Sequence, residues 1–175
     1  MPGTDTPVVA GGHTVVVSAS KTRPSDTTAY AAGDVINDST SAPTVFTFDN
    51  CVRFEGGSGV IARVMIDDSA AQTTKLSAEL WLFDTTYTPD NDNAAITPTD
   101  AEMRTVVAVI PVSTSYVGDA TSGAGGNCLL TSGVVNVPFQ CAASSKALYG
   151  MLVARNAYTP VSAEVFNVRL HIYQD

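Results

Sequence analysis

The stretch Val165-Phe166-Asn167-Val168-Arg169-Leu170-His171-Ile172-Tyr173 decides the fold. Successive side chains of a strand point to opposite faces. Phe166, Val168, Leu170 and Ile172 therefore face one way, and Asn167, Arg169, His171 and Tyr173 the other. This alternation predicts an antiparallel strand buried on one side only.

Further strands follow from the same period. Thr14 to Ser20 is Val-rich. Thr44 to Phe48 separates Val45 from Phe46 and Phe48, and Cys51 to Phe54 extends it past a bulge at Asp49-Asn50. Val60 to Ile66 follows a Gly56-Gly57-Ser58-Gly59 turn. In Leu76 to Phe83, Leu76, Ala78, Leu80 and Leu82 share one face; Trp81 and Phe83 make the far end apolar on both sides, which predicts cover on both. Val106 to Val112 carries Pro111 near its end, as an edge strand allows. Cys128 to Val137 reads as one strand kinked at Ser132-Gly133, and Leu148 to Arg155 completes the set.

Helix is confined to one place. Thr99-Asp100-Ala101-Glu102 fits a capping box, in which the Thr99 hydroxyl accepts the Glu102 amide and the Glu102 carboxylate reaches back. The expectation is an all-β chain of about eight strands in a single antiparallel sandwich, most naturally a jelly roll, with at most one short helix. The core is expected from Phe46, Leu80, Leu82, Phe166, Val168, Leu170 and Ile172.

Composition agrees. The 175 residues hold 22 Ala, 22 Val, 21 Thr and 15 Ser; 45% are hydrophobic and only 15% charged. Val and Thr favour strands, and the scarcity of Lys and Glu disfavours exposed helices and coiled coils. The length suits one domain. Residues 1–12, with Pro2, Gly3, Pro7, Gly11 and Gly12, read as an extended N-terminal arm, and 13–175 as the sandwich domain. Val8 and Val9 are the arm's apolar anchor, able to add a strand to a sheet edge of another subunit, with Pro2 and Pro7 limiting the backbone.

The net charge is −8, from nine basic and 17 acidic residues. The basic residues are scattered, so no run of them could neutralise adjacent phosphates, which argues against nucleic acid. An acidic chain also disfavours anionic membranes. No apolar run reaches the roughly 18 residues that span a bilayer. The N-terminus lacks the basic and apolar regions of a signal peptide, so the expected site of folding is the cytoplasm. Cys51, Cys128 and Cys141 are odd in number and outside any C-x-x-C pattern, and are expected to be buried, reduced thiols.

The catalytic inventory is thin. Gly56-Gly57-Ser58-Gly59-Val60 approaches a nucleophile elbow but lacks its last glycine and leads into a strand, not a helix. His13 and His171 stand far apart, and His171 falls on the polar face of the last strand. Asp90-Asn91-Asp92-Asn93 offers hard oxygen ligands, which makes Asp90 and Asp92 the one weak candidate for Ca²⁺. Counted from Asp90, the sixth and twelfth positions are Ala95 and Ala101, where an EF-hand loop needs Gly and Glu. Such residues also build ordinary loops. The reading is a non-enzyme without metal or cofactor. Trp81 is expected to be buried, whereas Tyr30, Tyr87, Tyr116 and Tyr158 lie in loops or at strand ends and suit a protein interface.

Several segments carry a resemblance. Thr22-Arg23-Pro24-Ser25-Asp26-Thr27-Thr28-Ala29-Tyr30-Ala31-Ala32-Gly33-Asp34-Val35-Ile36 resembles a stretch found in proteins of tailed bacteriophages and prophages. So do Asp84 to Ala95, Tyr116 to Ala120 and Ala154 to Pro160. The resemblance implies a virion structural protein, assembled in the host cytoplasm, and carries no catalytic residue. A capsid decoration (cement) protein fits the chain best: a homo-oligomer, with a trimer as one option, clamping the major capsid protein. A tail, baseplate or receptor-binding component is the alternative, and a small glycan-binding or hydrolase domain the weaker one.

Overall fold

The computed structural model describes residues 12–70, 72–117 and 127–175. The arm residues Pro2, Pro7, Val8 and Val9 lie outside that range, as does most of the Gly118 to Asn127 loop.

Among the described residues, eleven strands and one helical turn succeed one another in chain order: β1 (His13–Thr22), β2 (Val35–Ile36), β3 (Phe46–Phe48), β4 (Ser58–Asp68), β5 (Ala78–Phe83), α1 (Asp100–Met103), β6 (Val106–Val112), β7 (Thr114–Val117), β8 (Cys128–Thr131), β9 (Val137–Gln140), β10 (Leu148–Ala154) and β11 (Val165–Gln174). All pairings are antiparallel and fall into two sheets, which pack as a sandwich. The larger runs β1-β11-β4-β8-β7, with β9 also on β4; the smaller runs β2-β10-β5-β6, with β3 also on β10.

β11 is the spine of the larger sheet. It pairs along its whole length with β1 on one side and with β4 on the other, slipping by a bulge between His171 and Ile172. Its inward residues Phe166, Val168, Leu170 and Ile172 are fully buried, together with Phe46, Leu80 and Leu82 from the facing sheet. The seven expected core residues thus lie in one cluster between the sheets. On β10 the neighbouring strand β3 lays its aromatic rings so closely over Gly150 that a Cβ there would stand 2.8 Å from the Phe48 ring.

The smaller sheet is covered on its outer side as well. Residues 84–96 cross it, and Tyr87 stacks on Phe83 at 4.4 Å and donates its hydroxyl to the Gly150 carbonyl at 2.6 Å. Tyr87, Phe83, Met151, Val153 and Val35 form a second apolar cluster, with Trp81 packed at its margin. This is the two-sided cover that Trp81 and Phe83 predict. Pro111 lies on β6, an edge strand, and the capping box of Thr99 and Glu102 forms with both bonds.

Three expectations need correction. Cys51 to Phe54 forms no strand: Asn50 takes a left-handed φ of 60°, which turns the chain out of β3. Cys128 to Val137 is two strands rather than one, because Gly133 (φ 70°) and Asn136 (φ 50°) break the ladder along β4. The total exceeds eight because β2 and β7 are short strands held by their partners, with no alternation of their own to announce them.

Candidate functional site: two buried polar clusters and an exposed sheet face

The chain leaves β1 at Thr22 and immediately buries Arg23. A guanidinium out of water needs a counter-charge and acceptors for its donors. Its Nε donates to the Tyr30 hydroxyl at 2.8 Å, and its Nη2 meets Asp92 Oδ2 at 3.2 Å. Nη1 donates to the Asp26 carbonyl at 2.6 Å. Tyr30 donates in turn to Asp92 Oδ1 at 2.6 Å, which also accepts the Asn37 amide at 2.9 Å.

This arrangement corrects two expectations. Tyr30 offers no contact area to a partner, since only 1% of it is exposed. Asp92 is likewise buried, and Arg23 already supplies the positive charge that a Ca²⁺ ion would bring. Asp90 accepts from the amide and hydroxyl of Thr97, at 3.0 and 2.6 Å, and so ties its own loop. Asn93 takes a φ of 60°, the left-handed conformation that Asn tolerates in loops. Among the described residues no three His, Cys, Asp or Glu side chains are grouped to hold a metal ion.

Tyr158 is buried as fully, and anchors a second cluster. Its backbone pairs with Tyr30, N to O distances being 2.8 and 3.2 Å. Its hydroxyl donates to Glu164 and lies 3.4 Å from Asp68 Oδ2. The remaining carboxylate oxygens accept backbone amides: Val161 to Glu164 at 2.9 Å and Ala70 to Asp68 at 2.8 Å. Burial, followed by the hydrogen bond and charge of Glu164, pushes the Asp68 carboxyl up to about 8. A protonated carboxyl could act as a general acid, but neither Asp68 nor Glu164 is more than 2% exposed, so no substrate reaches them. The expectation that Tyr158 lies at an interface fails for the same reason as for Tyr30. Each hydroxyl finds its partners inside, among charged groups that sequence spacing does not bring together.

The thiols of Cys51, Cys128 and Cys141 are free and buried. Cys141 lines a shallow depression of about 510 Å³ with Glu55, Asp84 and Gln140. Burial first, then the charge of Asp84, pushes its thiol up to about 11, the reverse of what a nucleophile needs.

What remains outside is the outer face of the larger sheet. Alternation along β11 turns Asn167, Arg169, His171 and Tyr173 outward, as the sequence predicts. Register then places Arg63 of β4 beside His171 on one side and Val16 of β1 on the other. Arg169 pairs with Asp67 at 2.8 Å. Burial, then the charges of Arg63 and Arg169, hold the His171 imidazole below its ordinary range. Neither His171 Nε2 nor Arg169 Nε, both shielded from solvent, has a hydrogen-bond partner among the described residues. Val16 is 50%, Tyr173 49% and Tyr116 60% exposed along the same face. Tyr116 is the one expected interface tyrosine that stands outside; Tyr87 is buried, and Trp81 is half-buried, its ring N–H 3.3 Å from Glu79. Alternation alone could identify the β11 half of this face, but Arg63 enters only through register.

No protein-family model matches the chain, and no curated protein matches it.

Proposed function

We propose that this chain is a structural protein of a tailed-bacteriophage virion, and within it a capsid decoration protein. It would bind the head lattice through protein contacts, to the major capsid protein and to sister copies, without cofactor, metal or enzymatic activity. The observation that carries the reading is where the phage-like segments go. Arg23 and Tyr30 from the first, Asp92 from the second and Tyr158 from the last meet at one joined pair of buried clusters. A resemblance spent on buried scaffolding supports a structural component rather than a catalyst. The unpartnered outer sheet face, mixed in apolar and cationic groups, supports binding to protein. The jelly-roll reading of the sandwich belongs to the same proposal, since that fold recurs in viral capsids.

Quantitative mass spectrometry of purified virions, with labelling of the chain in micrographs, tests this. Hundreds of copies distributed over the head are expected. A handful at the tail would favour the tail or baseplate reading, and absence from the virion would overturn both.

A further inference from the structure

The open edges of the two sheets are not alike. Among the described residues β2 and β3 span two and three residues and β7 four, and β6 and β9 carry Pro111 and Pro138. Shortness and proline are common guards of a sheet edge. β1 has neither. It runs ten residues from His13 to Thr22, pairs with β11 alone, and holds no proline and no Lys, Arg, Asp or Glu before Lys21. Lys21 donates to the Thr44 carbonyl at 2.7 Å and pairs with Asp38 at 2.9 Å, which sets residues 38–44 against the Thr22 end of the strand. The unguarded stretch is therefore Thr14 to Ser18.

Backbone phase shows what this stretch offers. Antiparallel pairs alternate between those that exchange backbone bonds and those that do not. The Arg23 amide donates to the Glu164 carbonyl at 3.0 Å, whereas both backbone groups of Val165 turn to Ser69. Carried along the register, this phase gives β11 the amides and carbonyls of His13, Val15, Val17, Ala19 and Lys21. Those of Thr14, Val16 and Ser18 point away from β11 into the open edge, and have no partner among the described residues.

We infer that two copies of this chain pair through β1, antiparallel about a two-fold axis at Val16, so that their larger sheets join into one. In that register Val16 lies opposite its own copy and Thr14 opposite Ser18. Each pair exchanges both backbone bonds, because each residue presents both groups to the edge. The half-exposed Val16 side chains meet across the axis, and the Thr14 and Ser18 hydroxyls meet beside them. No charged side chain of β1 enters this stretch, so two chains of net charge −8 meet here without setting like charges opposite. The contact is isologous and uses up the edge, so association stops at the dimer. The competing occupant is the chain's own N-terminus. A two-residue turn at Gly11-Gly12 would pair Ala10 with His13, but β11 already holds the His13 amide and carbonyl at Gln174. The inference concerns the chain itself, and its failure would leave the virion reading standing.

Sedimentation velocity of the full chain, with amide hydrogen exchange read at Thr14, Val16 and Ser18, tests it. The wild type is expected to dimerise by about 0.1 mM, the weak range that suits a small interface. Affinity should hold at about 1 M salt, where charges are screened beyond about 3 Å. Val16→Lys sets a cation against its own copy at the axis, and Val16→Pro removes an edge-facing amide while leaving the bonds to β11. Each should weaken dimerisation at least tenfold, with circular dichroism melts to check folding. Val16→Thr keeps the amide and the branched shape, and should dimerise like the wild type. Should Val16→Pro misfold, Val16→Lys alone carries the test. The three amides should be protected where the dimer forms and exchange freely on dilution. A wild type monomeric at about 0.1 mM, or a Val16→Lys variant that dimerises like the wild type, would overturn the inference. So would amides protected equally in the monomer, as an arm folded onto its own edge would make them.

Discussion

Tyr30 and Tyr158 bind each other through both backbone amides while their hydroxyls enter different carboxylate clusters, that of Asp92 and that of Glu164 with Asp68. The bridge ties the segment after β1 to the segment before β11, and each tyrosine draws the charges of its own cluster into the interior. One end of the sandwich is therefore held by polar contacts, whereas its middle is held by apolar packing.

The first cluster should respond unequally to loss of its members. Asp92→Ala removes the buried counter-charge of the Arg23 guanidinium and leaves it only the exposed Asp26 carboxylate at 3.1 Å, and should cost about 3–5 kcal/mol. Tyr30→Phe keeps the ion pair and removes one hydroxyl between two buried groups, at about 1–3 kcal/mol. Urea unfolding of both variants should give that order. A smaller loss for Asp92→Ala than for Tyr30→Phe would show that the ion pair is not what holds this end.

The second cluster predicts an unusual pH dependence. An unfolded aspartate titrates near 4, roughly, whereas folded Asp68 keeps its proton up to about 8. Below about pH 4 both states carry the proton and its contribution to stability is fully present. Between the two values the folded chain holds a proton that the unfolded chain has lost. Stability then falls as pH rises, by at most about 1.4 kcal/mol per pH unit, and levels off above the folded value. Asp68→Asn mimics the protonated acid, keeping an acceptor for Ala70 and supplying a donor toward Glu164. Its stability relative to the wild type should therefore increase from about pH 5 to about pH 8. A constant difference across that range in thermal or urea midpoints would contradict the assignment.

How much of this was legible in the sequence depends on the range of each interaction. Alternation is local, so β11 and its core residues could be read directly, and the Thr99–Glu102 box spans a single helical turn. Asn50 was readable as a bulge but not as a turn, since the choice depends on the distant segment that receives the next residue: the Cys51 amide bonds the Lys146 carbonyl. The tyrosines show the limit most clearly. Spacing places Tyr30 and Tyr158 in loops, and loops are usually exposed. Their burial rests on Asp92 and Glu164, and on a backbone pairing between distant segments. Asp92 likewise looked like a cation ligand because Arg23 lies far from it along the chain.

Core packing should be intolerant in both directions. Leu170 is fully buried on the spine strand, so Leu170→Ala should cost about 2–5 kcal/mol through lost burial and the cavity left behind. Gly150→Ala should cost about 1–3 kcal/mol for the opposite reason, because the added methyl meets the Phe48 ring and the Phe46 Cβ at 2.8 and 3.3 Å. Chemical unfolding measures both. An unchanged midpoint for Leu170→Ala would mean that β11 faces the other way, and one for Gly150→Ala that the neighbouring strand β3 yields freely.

The thiols should report the same packing chemically. Thiolate is the reactive form, and burial penalises it. Desolvation pushes Cys51 up to about 12 and Cys141 up to about 11, and raises Cys128 as well. At neutral pH the folded chain should therefore react with a disulfide reagent such as 5,5′-dithiobis(2-nitrobenzoate) far more slowly than a free thiol does. In denaturant, without prior reduction, all three cysteines should be labelled, and mass spectrometry should count three adducts. Fewer than three would mean that a pair had bridged. Rapid labelling of Cys141 in the folded chain would mean that the depression beside Asp84 and Glu55 opens to solvent far enough to expose the sulfur.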